Sequence, residues 1–500
     1  MGVSYETDWV KSRSDLFPAK CAVIDSATKD SWTYSELEGR SSRLASLFLK
    51  QGVEKGDRIA LFTQNHISYF DFLFACLKIG AIFVPLNWRM SPDELQFVVR
   101  DAAPVVMGVE TGFVEQASQL QEDFYLIEID SNHYLDQFPA DEDVLNPGLV
   151  ESDPLAMIYT GGTTGHPKGA VLSHRSIMWN AINTIVSWNL TDKDTTLTCI
   201  PMFHTGGLNA LSIPILVAGG TVVLSPGFNP EQAVKDLIEY RCSIVLFVPT
   251  MYHMLTGTKD FKKAKFPDMK VFLSGGAPCP RGIYDTFSSK GLAFKEGYGL
   301  TEAGPNNFYI DPGEAAIRPG SVGKPMLFNT VKIVRENGGE AGAGEVGELY
   351  LRGSHLFEYY WNKEEETEQA WKDGWFHTGD LARKEEDGYY YIVGRKKDMI
   401  ITGGENVYPL EIENWIDSHE DVDEVAVIGI PDEKWGEKVV AFVAAKGGAA
   451  LKAEELEDYC KRKLTKYKIP KSFYIIDQLP KTHVGKINKN ELRKRLDKVT

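Results

Sequence analysis

The sequence predicts an α/β protein. Its large N-terminal domain has doubly wound, mostly parallel sheets and a small barrel-like β subdomain, and a small mobile α+β C-terminal domain follows. Strand and helix patterns alternate over residues 32–110 and resume over residues 195–304, as they do in doubly wound parallel sheets. Most of these strands end in loops that contain Gly or Pro. From about Asn329 the pattern changes to short strands separated by glycine turns.

The first alternating region carries clear helix signals. Apolar residues recur at roughly helical spacing between residues 32 and 52, and Ser91 before Pro92 is typical of a capped helix start. In chain order the region predicts a helix (32–52), a strand (57–63), a helix (68–80), a strand (81–87), a helix from Ser91 and a strand (105–110).

The second region has the same character. It predicts strands at residues 196–204, 219–225, 242–250, 270–278 and from 294, with a helix at 231–240. Ligands of open parallel sheets collect beyond the carboxyl ends of the strands. We therefore expect one crevice to be formed by the loops that begin near Thr160, His204, Pro249, Gly275 and Gly297.

A chain of 500 residues is too long for one core, so more than one domain is expected. We assign residues 1–396 to the large domain, with its β subdomain at about 329–394, and residues 397–500 to the small domain. The boundary lies in a charged, Gly-rich connector that begins at Gly394 (GRKKDMIITGGENVYPLEIE). Beyond the connector the pattern is strand, strand, helix, strand, helix.

The net charge of −16 argues against a general nucleic-acid binder, since such a protein needs a basic surface. Residues 461–500 are an exception, with 13 Lys and Arg against 3 Asp and Glu. This basic tail is either a solvated helical face or a surface that receives an anionic substrate.

The six cysteines are scattered, with no C-x-x-C pair and no His at ligand spacing, which is typical of reduced thiols. The N-terminus has no apolar signal-peptide core, and the longest apolar stretch, residues 210–224, is short and broken by Pro214 and two glycines. We expect a cytoplasmic protein without a transmembrane segment.

The most informative stretch is Tyr159 to His174, YTGGTTGHPKGAVLSH. Glycines let successive backbone N–H groups point into one concavity that binds phosphate, while threonine hydroxyls and a lysine add donors and charge. The stretch is not a Walker A loop, because Gly and not Ser or Thr follows the lysine. A surface loop without a ligand is the alternative. The candidate phosphate-binding residues are Thr160, Gly161, Gly162, Thr163, Thr164, Gly165 and Lys168.

A second candidate stretch is GYGLTE, residues 297–302. The ring of Tyr298 offers a flat face for a purine. A carboxylate beside phosphates is repulsive unless a divalent cation lies between them. Glu302 is therefore a candidate magnesium ligand, and Thr301 a candidate donor to phosphate.

Three further residues have structural alternatives. Asp380 can accept hydrogen bonds from both hydroxyls of a ribose, but an Asp after Gly is most often a turn former. Arg395 is either a phosphate or ribose partner or a surface arginine. His204 is a lone histidine, and lone histidines are usually structural.

Lys486 lies in the basic tail, where a solvated surface role is the simplest interpretation. A cation about 4 Å from an anion contributes roughly 4 kcal/mol at an effective dielectric of about 20. Since about 1.4 kcal/mol is tenfold in rate, one lysine beside two reacting anions is able to accelerate their reaction by about a hundredfold or more.

These motifs occur in the order found in the adenylate-forming superfamily, which includes acyl-CoA synthetases, luciferases and peptide-synthetase adenylation domains. The Gly-rich loop, Tyr-Gly-Leu-Thr-Glu, Thr-Gly-Asp, the GRKKDMI connector and a terminal Gly-Lys resemble its signatures over nearly the whole chain. The sequence resembles an acyl-CoA synthetase of the fatty-acid or aryl-acid CoA ligase type. The resemblance implies ATP, magnesium and, as co-substrate, coenzyme A.

The resemblance also implies roles for single residues. The implied catalytic residues are Lys486, His204, Glu302 and Thr301; among them His204 borders the acyl-carboxylate site and Glu302 is the metal ligand. Besides the Gly-rich loop, the implied nucleotide-binding residues are Gly275, Gly276, Ala277, Tyr298, Gly299, Thr301, Asp380 and Arg395.

The implied reaction has two steps. A carboxylate attacks the α-phosphate of magnesium-ATP, giving an acyl-adenylate and pyrophosphate, and the thiolate of coenzyme A then attacks the activated carbonyl and expels AMP. Between the steps the small domain swings about the connector, and residues 402–408 approach the site. Lys397 occupies the hinge position, where the family often carries Asp.

No motif identifies the acid. Three glycines near the expected pocket suggest room for more than acetate, and three aromatic residues suggest apolar walls. These are Gly206, Gly207, Gly304, Phe203, Phe247 and Tyr252. We expect a medium- or long-chain fatty acid, with an aryl acid, including a succinylbenzoate-like one, as the alternative. A stand-alone enzyme that loads a carrier protein and a luciferase-like oxygenase are further alternatives.

Overall fold

The computed structural model describes residues 7–138, 144, 146, 148–161, 167–481 and 487–497. Five predicted site residues lie outside the described residues. These are Gly162, Thr163, Thr164, Gly165 and Lys486.

Twenty-six strands occur in the described part of the chain. The first thirteen are β1 (Cys21–Asp25), β2 (Ser31–Thr33), β3 (Arg58–Phe62), β4 (Ile82–Pro85), β5 (Val106–Glu110), β6 (Tyr125–Ile129), β7 (Pro154–Thr160), β8 (Lys168–Ser173), β9 (Thr195–Thr198), β10 (Thr221–Leu224), β11 (Ile244–Phe247), β12 (Val271–Ser274) and β13 (Phe294–Glu296). The others are β14 (Phe308–Tyr309), β15 (Ser321–Pro325), β16 (Thr330–Val334), β17 (Val346–Arg352), β18 (Tyr359–Tyr360), β19 (Trp371–Lys372), β20 (Trp375–Lys384), β21 (Tyr390–Arg395), β22 (Ile400–Thr402), β23 (Glu405–Val407), β24 (Val422–Asp432), β25 (Gly436–Ala445) and β26 (Ser472–Ile475).

The α-helices of the same residues alternate with these strands. They are α1 (Trp9–Leu16), α2 (Tyr34–Lys50), α3 (Ser68–Ile79), α4 (Pro92–Ala102), α5 (Val114–Ser118), α6 (His174–Trp188), α7 (Thr205–Leu208), α8 (Ser212–Ala218), α9 (Pro230–Glu239), α10 (Pro249–Gly257), α11 (Lys259–Lys263), α12 (Arg281–Ser289), α13 (Pro312–Ile317), α14 (Glu364–Ala370), α15 (Pro409–Asp417), α16 (Ala453–Lys461) and α17 (Lys489–Asp497).

Two seven-stranded sheets form most of the large domain. The first has the order β18-β8-β7-β4-β3-β5-β6, and the second has the order β13-β12-β11-β9-β10-β1-β2. Neighbouring strands from β4 to β6 in the first sheet, and from β13 to β1 in the second, run parallel. At the edges, β7 pairs with β8, β8 with β18 and β1 with β2 in antiparallel fashion. The predicted doubly wound, mostly parallel architecture is confirmed.

The helix ends follow the local sequence signals. Ser91 caps α4 through a reciprocal capping box with Glu94, and Thr33 and Glu36 do the same for α2. Helix α3 ends at Gly80, which has a φ of 81°, a conformation that glycine adopts without strain. These caps place the helices at the expected positions between the parallel strands.

Helix α3 is buried along its whole length, as expected for a helix that is apolar on nearly all sides. Its one carboxylate, Asp71, is fully buried and accepts hydrogen bonds from Arg40 Nε (2.8 Å) and Nη2 (2.7 Å). The hydroxyl of Tyr134 also donates to Asp71, at 3.1 Å. Arg40 Nη1 donates to the carbonyl of Asn132 at 2.8 Å. A buried charge is tolerated because it is paired in this way.

The third sheet is antiparallel and forms the β subdomain, in the order β14-β15-β21-β20-β17-β16. Its strands β14 and β15 lie upstream of residue 329, where the sequence pattern placed the start. Strand β18 lies within the predicted range but joins the first sheet through β8.

The fourth sheet belongs to the C-terminal part and has the order β23-β22-β25-β24, with β26 parallel to β25. The predicted sequence of strand, strand, helix, strand, helix corresponds to β24, β25, α16, β26 and α17. Helix α15 lies in the segment that the sequence analysis treated as connector, and its first residue is Pro409, a favoured helix start. The domain boundary at residues 396 and 397 stays a prediction.

A search of the described residues finds no helix with the length and apolarity that crossing a membrane requires.

We expect Asp71→Ala to destabilise the large domain by about 3–5 kcal/mol, because the substitution leaves the buried guanidinium of Arg40 without its carboxylate. The midpoint of thermal unfolding, measured by calorimetry, reports the change. The control is Asp15→Ala, which removes an exposed partner of Lys11 at 3.8 Å and is expected to cost no more than about 1 kcal/mol. Equal shifts for the two variants would contradict this interpretation.

Candidate active site

The loops after β11, β12 and β13 lie side by side at the carboxyl ends of these parallel strands. The N–H of Gly275 donates to the carbonyl of Phe247 at 3.3 Å, and the N–H of Gly297 donates to the carbonyl of Ser274 at 2.8 Å. The edges of the two parallel sheets also meet here. Asn65, which follows β3, accepts from the N–H of Met202 at 2.8 Å, close to His204. These contacts bring neighbouring loops together, and the crevice formed by all five predicted loops stays a prediction.

Asp380 is the centre of the first group of predicted nucleotide-binding residues. It is buried and pairs across β20 and β21 with Arg395, whose Nε lies 2.8 Å from Oδ1. The hydroxyl of Tyr298 donates to Oδ2 at 2.6 Å. Burial, and then the Asp380 carboxylate, raise the pKa of Tyr298 well above its usual range, so its hydroxyl stays protonated and acts as a donor.

The glycines beside this group are required by close packing. A Cβ at Gly299 would lie 2.1 Å from the carbonyl oxygen of Pro305, so only glycine fits this turn. In the predicted adenine segment, Gly275 is buried, whereas Gly276 and Ala277 are exposed. Gly276 has a φ of 81°, which turns the chain away at the end of β12.

Glu302 is the centre of the second group. It is partly buried, and its Oε1 accepts a hydrogen bond from the hydroxyl of Tyr360 at 2.8 Å. The Nζ of Lys168 lies 5.4 Å from the centre of the Tyr360 ring and 3.7 Å from Oε1 of Glu366. Lys168 and Thr160 pair across β8 and β7, at the two ends of the Gly-rich loop.

Arg395 is bound to the first group through Asp380. Burial lowers the pKa of its guanidinium, but the carboxylates of Asp380 and Glu302 outweigh that effect and raise the pKa overall. One arginine therefore lies within electrostatic reach of the predicted ribose carboxylate and of the predicted metal carboxylate.

His204 is partly buried, and its ring centre lies 4.3 Å from that of Phe203. Its carbonyl accepts hydrogen bonds from the N–H groups of Gly207 (3.0 Å) and Leu208 (3.2 Å) at the start of α7. A Cβ at Gly207 would lie 2.4 Å from the carbonyl oxygen of Pro201. The glycine thus permits this tight turn and places His204 at its start.

Several features that suggested a roomy pocket have another explanation. A Cβ at Gly304 would lie 2.7 Å from Oδ1 of Asn180, so Gly304 and Gly207 serve close packing and do not open space. Phe247 and Tyr252 are fully buried in the core between the second sheet and its helices. Phe203 is the one predicted wall residue beside His204.

The connector is held on both sides of Lys397. On one side, Lys396 Nζ lies 2.7 Å from Oε2 of Glu348 on β17. On the other side, Arg493 of α17 donates to Asp398 at 3.3 Å. Residues directly before and after Lys397 are therefore bound to different elements, strand β17 and helix α17, and the hinge at Lys397 stays a prediction.

Sequence reasoning did not single out Tyr360 or Glu348. Tyr360 lies in the segment EYYWN, whose letters carry no chemical motif, and only its pairing with β8 brings it to Glu302. Glu348 lies in a strand in which polar and apolar residues alternate. An acidic residue in such a strand is expected on the face exposed to solvent.

Comparison with known families decides the classification. Residues 10–361 match the family of AMP-binding enzymes, and residues 411–486 match the AMP-binding enzyme C-terminal domain. The chain belongs to the AMP-binding enzyme family.

Relatives of this AMP-binding enzyme match along almost their whole length. A feruloyl-CoA synthase of Amycolatopsis is 37% identical over 97% of this chain and 98% of its own. An indoleacetate–CoA ligase of Aromatoleum aromaticum is 34% identical, over 99% and 98%. The long-chain-fatty-acid–CoA ligase FadD13 of Mycobacterium tuberculosis is 33% identical, over 97% of each chain.

Solved structures agree with this assignment. ATP-bound MatB from Rhodopseudomonas palustris has a TM-score of 0.91 at 30% identity, over 99% of this chain and 100% of its own. Apo MatB from the same organism has a TM-score of 0.78 over the same shares of the two chains. The overall arrangement of the AMP-binding enzyme is thus closer to the ATP-bound form.

These matches confirm the predicted fold class and the prediction of an acid–CoA ligase that uses ATP, magnesium and coenzyme A. The residues present suit magnesium, since this ion is usually held by one or two carboxylates together with substrate phosphates. Glu302 offers such a carboxylate. Lys168, which follows the Gly-rich loop, lies beside Tyr360, the hydrogen-bond partner of Glu302. The roles of the single residues stay predictions.

We expect Asp380→Asn to weaken AMP binding by about tenfold to a hundredfold, because hydrogen bonds to a charged acceptor contribute about 1.5–3 kcal/mol. Isothermal titration calorimetry with AMP measures the change. Asp387→Asn is the matched control, since Asp387 is an exposed carboxylate of the same β subdomain. An unchanged affinity in Asp380→Asn would show that this carboxylate does not bind the ribose.

Proposed function

We propose that this enzyme joins a carboxylic acid to coenzyme A through an acyl-adenylate, with release of pyrophosphate and AMP. The observation that carries the proposal is the convergence of two groups on one turn, residues 297–304. Tyr298 contacts Asp380, and Glu302 contacts Tyr360 beside Lys168. A nucleoside group and a phosphate and metal group thus lie next to each other, as ATP requires.

Each residue has a role that its surroundings support. Asp380 accepts hydrogen bonds from the ribose, and Tyr298 lies against the adenine. Lys168 attracts the phosphates from the end of β8. Magnesium, when bound at Glu302, supplies positive charge between this carboxylate and the phosphates.

Positioning and charge neutralisation are sufficient for this chemistry. The nucleophiles are the acid and the coenzyme A thiolate, so the protein's own thiols are not needed. All six cysteines are free, and burial raises the pKa of Cys76 and Cys199 above the usual range of a thiol. Free thiols also support the predicted cytoplasmic location.

The two half-reactions are proposed to use two placements of the small domain. Lys397 lies between a residue tied to Glu348 and a residue tied to α17, which supports rotation about this position. The higher similarity to ATP-bound than to apo MatB supports an arrangement suited to adenylate formation. Residues 402–408 would approach the site after the rotation.

We expect Lys486→Ala to reduce adenylate formation by about a hundredfold or more, because it removes a cation beside two reacting anions. Exchange of labelled pyrophosphate into ATP measures this step. Thioester formation from supplied acyl-adenylate should be unchanged, since in that step no carboxylate attacks the α-phosphate. Lys489→Ala is the matched control, because Lys489 lies 2.7 Å from Glu413 on the small domain. Equal loss of both half-reactions in Lys486→Ala would contradict the assigned role.

For the acid, we propose an aryl or arylalkyl carboxylic acid. Two of the three glycines that suggested a roomy pocket, Gly207 and Gly304, are explained by close packing, which weakens the support for a long chain. The ring of Phe203 lies 4.3 Å from that of His204 and 6.5 Å from that of Trp88, between centres, and these aromatic side chains suit a ring-bearing substrate. The relatives with the higher identities, feruloyl-CoA synthase and indoleacetate–CoA ligase, are named for ring-bearing acids.

A medium- or long-chain fatty acid is the second candidate, because FadD13 is 33% identical over nearly the whole chain. We expect ferulate or indoleacetate to give a kcat/KM at least about tenfold above that of decanoate and palmitate, since a few matched apolar groups are worth about tenfold or more. Pyrophosphate release with coenzyme A present measures the panel. A clear preference for palmitate would reverse the order, and turnover only with a carrier protein would exclude coenzyme A as acceptor.

A further inference from the structure

The hydroxyl of Tyr360 is bound to one oxygen of the predicted magnesium ligand. It donates to Oε1 of Glu302 at 2.8 Å. Tyr360 contributes nothing to the motifs that predicted the site, and it comes from a different sheet from the turn that carries Glu302. The contact therefore joins two parts of the fold at the point where the metal is expected.

The backbone around Tyr360 is fixed from both directions. Residues 357–361 form a bridge, which we call the strut, between the Glu302 turn and β8. At one end the N–H of Phe357 donates to the carbonyl of Glu302 at 2.8 Å. At the other end Tyr360 pairs with Ala170, and the N–H of Trp361 donates to the carbonyl of Gly169 at 2.8 Å.

The side chains of the strut reinforce this placement. The indole Nε1 of Trp361 donates to the carbonyl of Asp101 at 3.0 Å, and the N–H of Tyr360 donates to Oγ1 of Thr367 at 2.9 Å. The ring of Tyr360 packs against Phe357, with centres 4.8 Å apart. The backbone of Tyr360 is thus held on both sides and its ring packs against Phe357, which together place its hydroxyl at Glu302.

We propose that Tyr360 is a positioning residue for magnesium: by holding Oε1 of Glu302, it would orient this carboxylate for binding the ion. The inference rests on the proposed function, in which Glu302 is the metal ligand. Partners that orient a metal-binding side chain typically contribute about tenfold to a hundredfold to metal affinity. Because the strut ends on β8, the same contact sets the distance between the carboxylate and Lys168.

The test compares wild type with Tyr360→Phe. This variant keeps the ring beneath Lys168 and removes only the hydroxyl. Calorimetric titration with α,β-methylene-ATP is carried out once with magnesium and once with EDTA. We expect Tyr360→Phe to lose about tenfold or more of the affinity gain that magnesium gives to wild type. Affinity in EDTA, and affinity for AMP, should not change.

Tyr359→Phe is the matched control. Tyr359 is the neighbouring residue of the same two-residue strand. It pairs with Val171 and packs against a different hydrophobic cluster, of which Val171 is a member. Its hydroxyl should not affect the magnesium gain. Glu302→Gln should remove most of that gain, and adding Tyr360→Phe to Glu302→Gln should have no further effect, because the tyrosine acts through the carboxylate.

The outcomes separate the inference from the proposed function. A wild-type magnesium gain in Tyr360→Phe would overturn the inference, and so would a loss of affinity that is the same with magnesium and with EDTA, since that is a merely structural effect. If wild type forms adenylate with an acid, and Tyr360→Phe shows the same magnesium-dependent gain in affinity for α,β-methylene-ATP as wild type, only the inference fails. If wild type forms no adenylate with any acid, the proposed function fails.

Discussion

The arrangement of the site depends on two hydrogen bonds that hold the turn of residues 297–304. The hydroxyl of Tyr298 reaches Asp380 on the antiparallel sheet, and Glu302 accepts from Tyr360, which belongs to the edge of the first parallel sheet. The turn itself follows β13 of the second parallel sheet. Three sheets that contribute to one hydrophobic cluster therefore meet at one short loop, and tight contacts such as that of Gly299 with Pro305 leave the loop little freedom.

Much of this fold is visible in the sequence because its local signals agree with the tertiary structure. The apolar strands between capped helices predict the parallel sheets, and the glycine at the end of α3 ends it as expected. Motif order predicts Tyr298, Asp380, Arg395 and Glu302, which the structure brings together. Residues of this kind are predictable since their chemistry restricts the amino acid at each position.

Other features depend on long-range pairing, which no local pattern encodes. Strand β1 joins the second sheet beside β10, about two hundred residues later in the chain. Strand β18 pairs with β8 and not with the strands of the β subdomain. This pairing brings Tyr360 to Glu302, although no sequence motif marks Tyr360. The burial of Phe247 on β11 and Tyr252 on α10 is likewise set by their packing against each other and against α12. The glycines that were interpreted as a sign of a roomy pocket were ambiguous, because glycine permits either a void or a close approach of backbone atoms.

The ion pairs on either side of Lys397 also bear on how such an enzyme diverges. Lys396 is bound to Glu348 and Asp398 to Arg493, so under the proposed pivot at Lys397 a change of domain orientation would need new torsion angles there and no repacking of either interior. Selection on acid preference is then free to act on the large domain, and selection on thiol delivery on the small one. The two halves are able to accumulate substitutions independently, as long as the short tether between them keeps its length.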